Sequence, residues 1–114
     1  MASPGIFKQV VMQSAAAATG NGTAIDTTDA IGCYSTLALQ VKGITTATVS
    51  FEATIDGTNW VALRMTPIAT GTTATTATAD GIYQADVRGL LQVRARISAW
   101  TSGTITVTAI LSAY

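Results

Sequence analysis

The segment Ser50–Leu63, "SFEATIDGTNWVAL", contains the clearest structural signal in the chain. Apolar and polar residues alternate up to Asp56-Gly57, a pair typical of tight hairpin turns because glycine readily adopts a positive φ angle. Apolar residues resume after the turn, which predicts a returning strand over Trp60–Met65. The segment therefore predicts an antiparallel β-hairpin whose first strand has one apolar and one polar face.

The same two-residue alternation recurs on both sides of this hairpin and predicts further strands. The glycine-containing breaks Lys42-Gly43 and Thr101–Gly103 predict that these strands are separate, and Pro67 is expected to end the returning strand. The predicted apolar faces consist of Cys33, Ser35, Leu37, Leu39 and Val41; Ala47, Val49, Phe51, Ala53 and Ile55; Leu91, Val93, Ala95, Ile97 and Ala99; and Ile105, Val107, Ala109 and Leu111. Three shorter strands are predicted over Phe7–Gln13, Thr23–Asp26 and Ile82–Val87.

Several short strands at close spacing, with no convincing helical period, predict an all-β fold. We expect an antiparallel β-sandwich or β-barrel, jelly-roll-like, with about seven or eight strands. Residues 7–114 would form this single domain, preceded by a flexible N-terminal arm at Met1–Ile6 that orders on a neighbouring subunit. The Gly-containing stretch Ser14–Asn21 is predicted to be a loop. The Thr/Ala-rich residues 66–81 are predicted to be an exposed loop or an edge segment, since this segment contains no large apolar residue after Ile68 that could anchor it to a core.

Composition narrows the possible partners. The 114 residues include six basic and six acidic residues, and the charged share of 11% is well below the usual value of about 25%. A net charge of zero argues against nucleic acid or an anionic membrane as partner, and it permits close packing of identical copies. The N-terminal residues lack the pattern of a secretion signal, so the protein is expected to be made and used in the cytoplasm or exported by cell lysis.

The sequence also excludes several kinds of chemistry. It contains no histidine and one cysteine, Cys33, so an intrachain disulfide, a Cys/His zinc site and imidazole-based catalysis are impossible. Cys33 is expected to be a small buried residue. Asp26 and Asp29 could begin a calcium loop, but the remaining oxygen ligands are missing. We therefore predict no catalytic, cofactor-binding or metal-binding residues and no enzymatic activity.

Four side chains are candidates for an interface or a ligand contact: Trp60, Arg94, Arg96 and Trp100. Trp60 either stacks on a sugar or closes the open end of the sandwich, and the second interpretation is favoured because aromatic residues dominate protein cores. Arg94 and Arg96, predicted to lie with Trp100 on a polar face, either bind an anion or a partner, or pair across strands with carboxylates such as Glu52 or Asp56. Asp56 and Asn59 are expected to cap the turn.

Two segments of the chain together resemble a family of small all-β proteins of tailed bacteriophages. The first is the hairpin with Phe51, Asp56, Gly57, Asn59 and Trp60, and the second is "GLLQVRARISAWTSGT", Gly89–Thr104. The resemblance covers residues 50–111. It implies a virion component, either a head decoration protein or a tail-associated protein. The Asp-Gly-Thr-Asn-Trp element alone is also similar to the hairpin of discoidin-type carbohydrate-binding domains, although that similarity covers only about a dozen residues.

We therefore expect a non-enzymatic structural subunit of a tailed-phage virion. Its partners would be copies of itself, as a closed homo-oligomer for which the resemblance favours a trimer, and the major capsid or tail proteins. Capsid decoration is the favoured role. The alternatives are a tail-associated protein and a carbohydrate-binding module that uses Trp60.

Overall fold

The computed structural model describes residues 6–28 and 33–113, and the side chain of Ile6 is outside this description. Within these ranges the chain is all-β and antiparallel, as predicted, with eight strands in one sheet. The strands are β1 (Ile6–Ala16), β2 (Ile25–Asp26), β3 (Thr36–Thr54), β4 (Val61–Ala62), β5 (Thr66–Pro67), β6 (Thr76–Ala77), β7 (Gly81–Asp86) and β8 (Gln92–Ala113). The predicted arm at Met1–Ile6 lies outside the described residues except for Ile6, which begins β1, and Asp29 lies outside them as well.

Two long strands, β3 with 19 residues and β8 with 22 residues, pair with each other along their length and organise the sheet. The predictions of a strand break at Lys42-Gly43 and of a turn at Thr101–Gly103 are therefore wrong. At both positions the strand continues, and the register between β3 and β8 shifts between Lys42 and Ala47. Such irregularities bend a strand and increase its twist without reversing the chain.

Gly43 and Gly103 face each other at this bend and allow the two backbones to come close together. Both have positive φ angles, 92° and 117°. A Cβ atom on Gly43 would overlap the carbonyl oxygen of Thr104, and one on Gly103 would lie 2.6 Å from the carbonyl oxygen of Gly43. Only glycine combines this backbone conformation with this approach.

The bend divides the sheet into two layers. Layer 1 contains β1, β5, β7, residues 36–43 of β3 and residues 103–113 of β8; layer 2 contains β2, β4, β6, residues 44–54 of β3 and residues 92–102 of β8. The layers pack face to face: the Phe51 ring of layer 2 lies 5.1 Å from the Tyr83 ring of layer 1. The Gln13 side chain of β1 donates to the carbonyl oxygen of Ala95 in layer 2. The arrangement is consistent with the predicted sandwich.

The core lies between these layers and consists largely of the residues that alternation predicted. Buried side chains include Leu37, Leu39, Val41, Ala47, Val49, Phe51, Ala53, Val93, Ala95, Ile97, Ile105, Val107, Ala109 and Leu111. The pattern fails at two strand ends. Ile55 follows the last paired residue of β3, Leu91 precedes the first paired residue of β8, and both side chains are exposed. Cys33 is also exposed, contrary to prediction, because it precedes β3 and the neighbouring Tyr34 is buried instead.

The shorter elements differ from prediction mainly in extent. β1 continues to Ala16, three residues into the predicted loop, with irregularities after Val11 and Gln13. The returning strand of the Asp56-Gly57 hairpin is limited to β4, which ends five residues before Pro67, and Pro67 is instead the last residue of edge strand β5. Residues 66–81 are mostly exposed, as expected, but Ala77 of β6 is buried against the core and anchors this segment.

Candidate functional site

Three of the predicted candidates form one cluster on the outer face of layer 2. Arg94 and Arg96 project outward because Val93, Ala95 and Ile97 between and beside them point into the core. Arg94 lies directly opposite Glu52 of β3. The Nε and Nη2 atoms of Arg94 both contact Glu52 Oε1 at 2.8 Å, and Arg96 Nε contacts the same oxygen at 3.2 Å. The predicted cross-strand pairing with Glu52 is therefore confirmed, whereas Asp56 is not a partner of these arginines.

Partial burial makes this ion cluster more than a transient surface contact. The Arg94 and Glu52 side chains are 16% and 15% exposed, and that of Arg96 is 36% exposed. Partial burial by itself raises the pKa of Glu52, but the hydrogen bonds and positive charges of Arg94 and Arg96 outweigh this effect, so the pKa lies below its ordinary value. Glu52 is therefore ionised throughout the physiological pH range.

Trp60 joins the cluster from the hairpin loop. The guanidinium carbon of Arg94 lies 4.1 Å from the centre of the Trp60 ring, which is the geometry of a cation–π contact. Trp60 is partly exposed and is not among the residues that form or pack against the core. The favoured prediction that it closes the sandwich core is therefore wrong, because the loop after Asp56 carries Trp60 to the outer face. One side of the ring is covered by Arg94.

Trp100 is separated from the other candidates by a register shift. Thr48 pairs with Ala99 and Val49 pairs with Ile97, so Ser98 is an extra residue in β8. Past this bulge Trp100 lies opposite Ala47, on the inner face, and packs against the core. Its indole N–H donates to the carbonyl oxygen of Gly103 at 3.0 Å. The prediction that Trp100 shares the arginine face is wrong, and the same shift leaves Ala99 exposed instead of buried.

The turn before Trp60 is fixed by Asp56, as the sequence indicated. Its Oδ1 atom accepts hydrogen bonds from the backbone N–H groups of Thr58 and Asn59, each at 2.8 Å, and its Oδ2 atom accepts one from the Asn59 side chain. The bonds from Asn59, Thr58 and Thr54 hold the pKa of Asp56 well below its ordinary value. This network sets the direction in which the loop carries Trp60.

Sequence reasoning did not identify a second surface, the outer face of layer 1. Four exposed apolar side chains, Phe7, Val11, Ile82 and Ile110, lie on this face; we call them the layer-1 patch. A shallow hollow of about 170 Å³ between Ile82 and Ile110 is lined also by Gln9, Ala38, Leu39, Gln40 and Thr108. Among the described residues of this face, the charged Lys42 and Asp86 lie at its two ends. A sequence signal existed, since Ile110 continues the outward series Thr104, Thr106 and Thr108 with a large apolar residue.

A third surface lies at the open end of the two layers. Ile55 and Val61 are 72% and 65% exposed, and together with Leu90 they line a hollow of about 290 Å³ beside the Asp56 turn. Leu91, also exposed, lies close to Gly57 of the same loop. We call Ile55, Val61, Leu90 and Leu91 the loop-end patch. It differs from the layer-1 patch because most of its residues lie outside strands and because it borders the charged Asp56.

The three surfaces described above can contact other molecules through apolar side chains and through charge. Among residues 6–28 and 33–113, no group of three or more histidine, cysteine, aspartate or glutamate residues could hold a metal ion. The Asp26 carboxylate accepts a hydrogen bond from Gln92. Within the same part of the chain, no helix is long and apolar enough to cross a membrane.

The chain is similar in fold to two proteins of known structure. The SPBc2 prophage-derived protein YomS is 18% identical, with a TM-score of 0.86 over 99% of this chain and 98% of that chain. The PBSX exported protein XepA is also 18% identical, with a TM-score of 0.89 over 99% of this chain, which spans only 40% of the XepA chain. At this identity the similarity shows the fold alone. A comparison with curated protein sequences gives no match.

The family is shown by the sequence itself. A family model described as XepA matches residues 7–111. Together with the two phage-derived structures, this match supports a phage-associated small protein, and it does not specify a head or a tail position. Because the model matches nearly the whole chain, this protein belongs to the XepA family.

Proposed function

We propose that this chain is a non-enzymatic structural subunit of a tailed-phage virion, which associates with copies of itself and docks on other virion proteins. Capsid decoration is the role that we favour, and a tail-associated position is the alternative. The observation that supports this proposal best is the presence of two different exposed apolar surfaces, the layer-1 patch and the loop-end patch. Contiguous exposed apolar surface on a small protein usually marks a site of protein–protein contact.

Two unlike patches favour a head-to-tail contact between copies. When one patch of a subunit meets the other patch of its neighbour, each subunit still has one patch available, and the repeated rotation can close into a ring. Charge does not oppose this assembly, because the chain has a formal net charge of zero and the layer-1 patch contains no charged side chain. We keep the trimer, which the resemblance to phage proteins suggested, as the expected ring size.

The open edge of the sheet gives additional support. In the described residues, residues 6–11 of β1 pair only with β8, so their other side is available to a neighbouring strand, whereas the carbonyl oxygen of Met12 already accepts a hydrogen bond from the backbone N–H of Thr23. Phe7 and Val11 of the layer-1 patch lie on this edge strand. An exposed edge that carries apolar side chains readily pairs with another chain. A subunit contact here would therefore remove both backbone groups and apolar side chains from water.

Self-association can be tested by a complementation experiment in the ultracentrifuge. Ile110→Lys would disable the layer-1 patch and Val61→Lys the loop-end patch, and both residues are exposed, so the fold should tolerate each change. We expect wild type to be an oligomer, each variant to be a monomer, and an equimolar mixture of the variants to form a dimer through the one intact pair of patches. Thr72→Lys, an exposed change outside both patches, is the control and should remain oligomeric. A monomeric wild type would overturn the self-association.

Virion docking is tested separately. The labelled wild-type chain should co-sediment with purified heads of a phage that encodes it, and less with purified tails. Binding to tails alone would place the protein there, and binding to neither would overturn the virion role.

The carbohydrate alternative predicts instead that a glycan quenches or shifts Trp60 fluorescence. It has less support because Arg94 covers one side of the Trp60 ring, which a stacking sugar would need to share.

A further inference from the structure

The cluster on the outer face of layer 2 carries more positive than negative charge. Two guanidinium groups, Arg94 and Arg96, share one carboxylate, Glu52, which leaves one net positive charge. The next carboxylate on this face, Asp26, lies beyond Gln92 and accepts a hydrogen bond from its amide. The excess positive charge is therefore located at the arginines.

Arg96 is the member of the cluster that can accept a further partner. Arg94 binds Glu52 through two nitrogen atoms at 2.8 Å, whereas Arg96 uses only Nε at 3.2 Å and shares an oxygen that Arg94 already occupies. Arg96 is also more than twice as exposed as Arg94. Its two terminal nitrogen atoms have no hydrogen-bond acceptor among the described residues. A guanidinium group in this state presents a planar pair of donors that matches a carboxylate.

Polar and aromatic side chains lie beside the arginines. Ser50 lies directly opposite Arg96 on β3, and its hydroxyl group is 2.7 Å from that of Ser98. On the other side, Trp60 packs on Arg94 and supplies apolar surface beside the charges. Arginine and tryptophan beside each other are typical of protein–protein interfaces. Two arginines are too few for a nucleic-acid footprint.

We infer that Arg96, with Arg94 and Trp60 beside it, is a docking site for a carboxylate-bearing surface of a partner protein. The inference rests on the proposed function, because it names the chemistry of the virion protein on which the subunit docks. Charge complementarity selects this partner: the cluster lacks one negative charge, and an aspartate or glutamate side chain supplies it. The site is distinct from the two apolar patches that we assign to contacts between copies.

The test uses the full chain labelled with ¹⁵N and a hexaglutamate peptide as probe. Each tryptophan gives one indole N–H signal, and Trp60→Phe assigns the two signals. We expect hexaglutamate to shift the Trp60 signal and to leave that of Trp100 unchanged, since Trp100 faces the core. Hexalysine and hexaglutamine should shift neither. Arg96→Gln should weaken hexaglutamate binding at least about fivefold, as loss of one charged contact predicts.

Arg88→Gln is the matched control, because Arg88 is an exposed arginine that pairs with Asp86 in layer 1. It should bind hexaglutamate as wild type does. An unchanged Trp60 signal, or equal weakening by Arg88→Gln and Arg96→Gln, would overturn the inference. Binding of polygalacturonate or of anionic lipid vesicles without binding of hexaglutamate would overturn it too, in favour of a glycan or membrane site. If wild type still forms oligomers and binds phage heads in that case, the proposed function stands without this site.

Discussion

Gly43, where the backbones of β3 and β8 come close together, should be among the positions least tolerant of substitution in this fold. Gly43→Ala introduces two costs. The first is the positive φ angle of 92°, which an L-residue adopts only with strain of about 1–2 kcal/mol. The second is the overlap of the new Cβ atom with the carbonyl oxygen of Thr104. The neighbouring atom belongs to the backbone of a paired strand and cannot rotate away.

The size of the second cost follows from what must move. To relieve the overlap, β8 has to separate from β3 at the bend, where Lys42 pairs with Thr106 and Ile44 with Gly103. Loss of two or three backbone hydrogen bonds costs about 1 kcal/mol each. Ile105 next to the bend is fully buried, so the separation also admits water to the core, which costs about 1 kcal/mol for each CH₂ group exposed. We expect Gly43→Ala to lower the free energy of unfolding by about 4–6 kcal/mol in total, a large part of the 5–15 kcal/mol typical of a domain.

Gly71→Ala provides a matched control. Gly71 also has a positive φ angle, 76°, but no atom lies within 4 Å of the position that a Cβ atom would occupy. Only the conformational cost of about 1–2 kcal/mol applies there. Both variants and wild type can be unfolded in urea and followed by far-UV circular dichroism and tryptophan fluorescence. Trp100 reports on the bend directly, because its indole N–H donates to Gly103.

The difference between the two variants measures the cost of the overlap between β3 and β8, because the conformational cost is common to both. Thermal unfolding should show a decrease in Tm of roughly 4–12 °C for Gly71→Ala and of more than about 15 °C for Gly43→Ala. If Gly43→Ala cost no more than Gly71→Ala, the close approach of the two strands would be absent in solution. The assignment of one bent sheet with two layers would then lose its basis.

Three further outcomes are expected. Phe51→Ala, at a fully buried position in contact with Tyr83, should cost about 3–5 kcal/mol in chemical denaturation, and a cost below about 1 kcal/mol would contradict the face-to-face packing of the layers. The pKa of Asp56 is lowered in the folded state, so the contribution of Asp56 to stability is present above the unfolded pKa of about 4 and is lost as pH falls through the folded pKa. Asp56→Asn should remove this part of the pH dependence of urea unfolding. An unchanged pH profile would refute the turn network. Glu52→Gln leaves two partly buried arginines without a counter-charge and should cost about 1–2 kcal/mol, decreasing with added salt, whereas a stabilising effect would show that the ion cluster is unfavourable.

Alternation in the sequence was sufficient to predict the fold class and most of the core. Leu37, Leu39 and Val41 are buried as predicted, and so are Val93, Ala95 and Ile97. These predictions succeed because the orientation of side chains along a paired strand depends only on the local two-residue period. The turn at Asp56-Gly57 was predictable for a similar reason, since its hydrogen bonds join residues at most three positions apart.

The same local signals could not distinguish a bend from a reversal. Lys42-Gly43 and Thr101–Gly103 interrupt the alternation as a turn would, but the chain continues because each long strand keeps its partner on both sides of the interruption. That partner is some sixty residues away in the sequence. The choice between a turn and a bend is therefore made by strand pairing, which no local pattern encodes.

The candidate site shows the same division. The two-residue period of the strand was sufficient to predict that Arg94 and Arg96 share one face, and the usual pairing of opposite charges across strands was sufficient to predict their contact with Glu52. The separation of Trp100 from them was not, because it depends on the bulge at Ser98, a feature of the register between β3 and β8. Trp60 reaches Arg94 only because the loop after Asp56 directs it to the outer face.

The all-β class, the faces of the strands, the Asp56 turn and the absence of histidine chemistry could all be read from the order of the residues. The bend of the strands into two layers, the choice of the tryptophan that joins the arginines, and the location of the exposed apolar side chains emerge only when distant strands pair. This difference arises because the period of a strand and the chemistry of a turn are local properties. Strand register, bulges and the surfaces that result from them depend on contacts between residues distant in the chain.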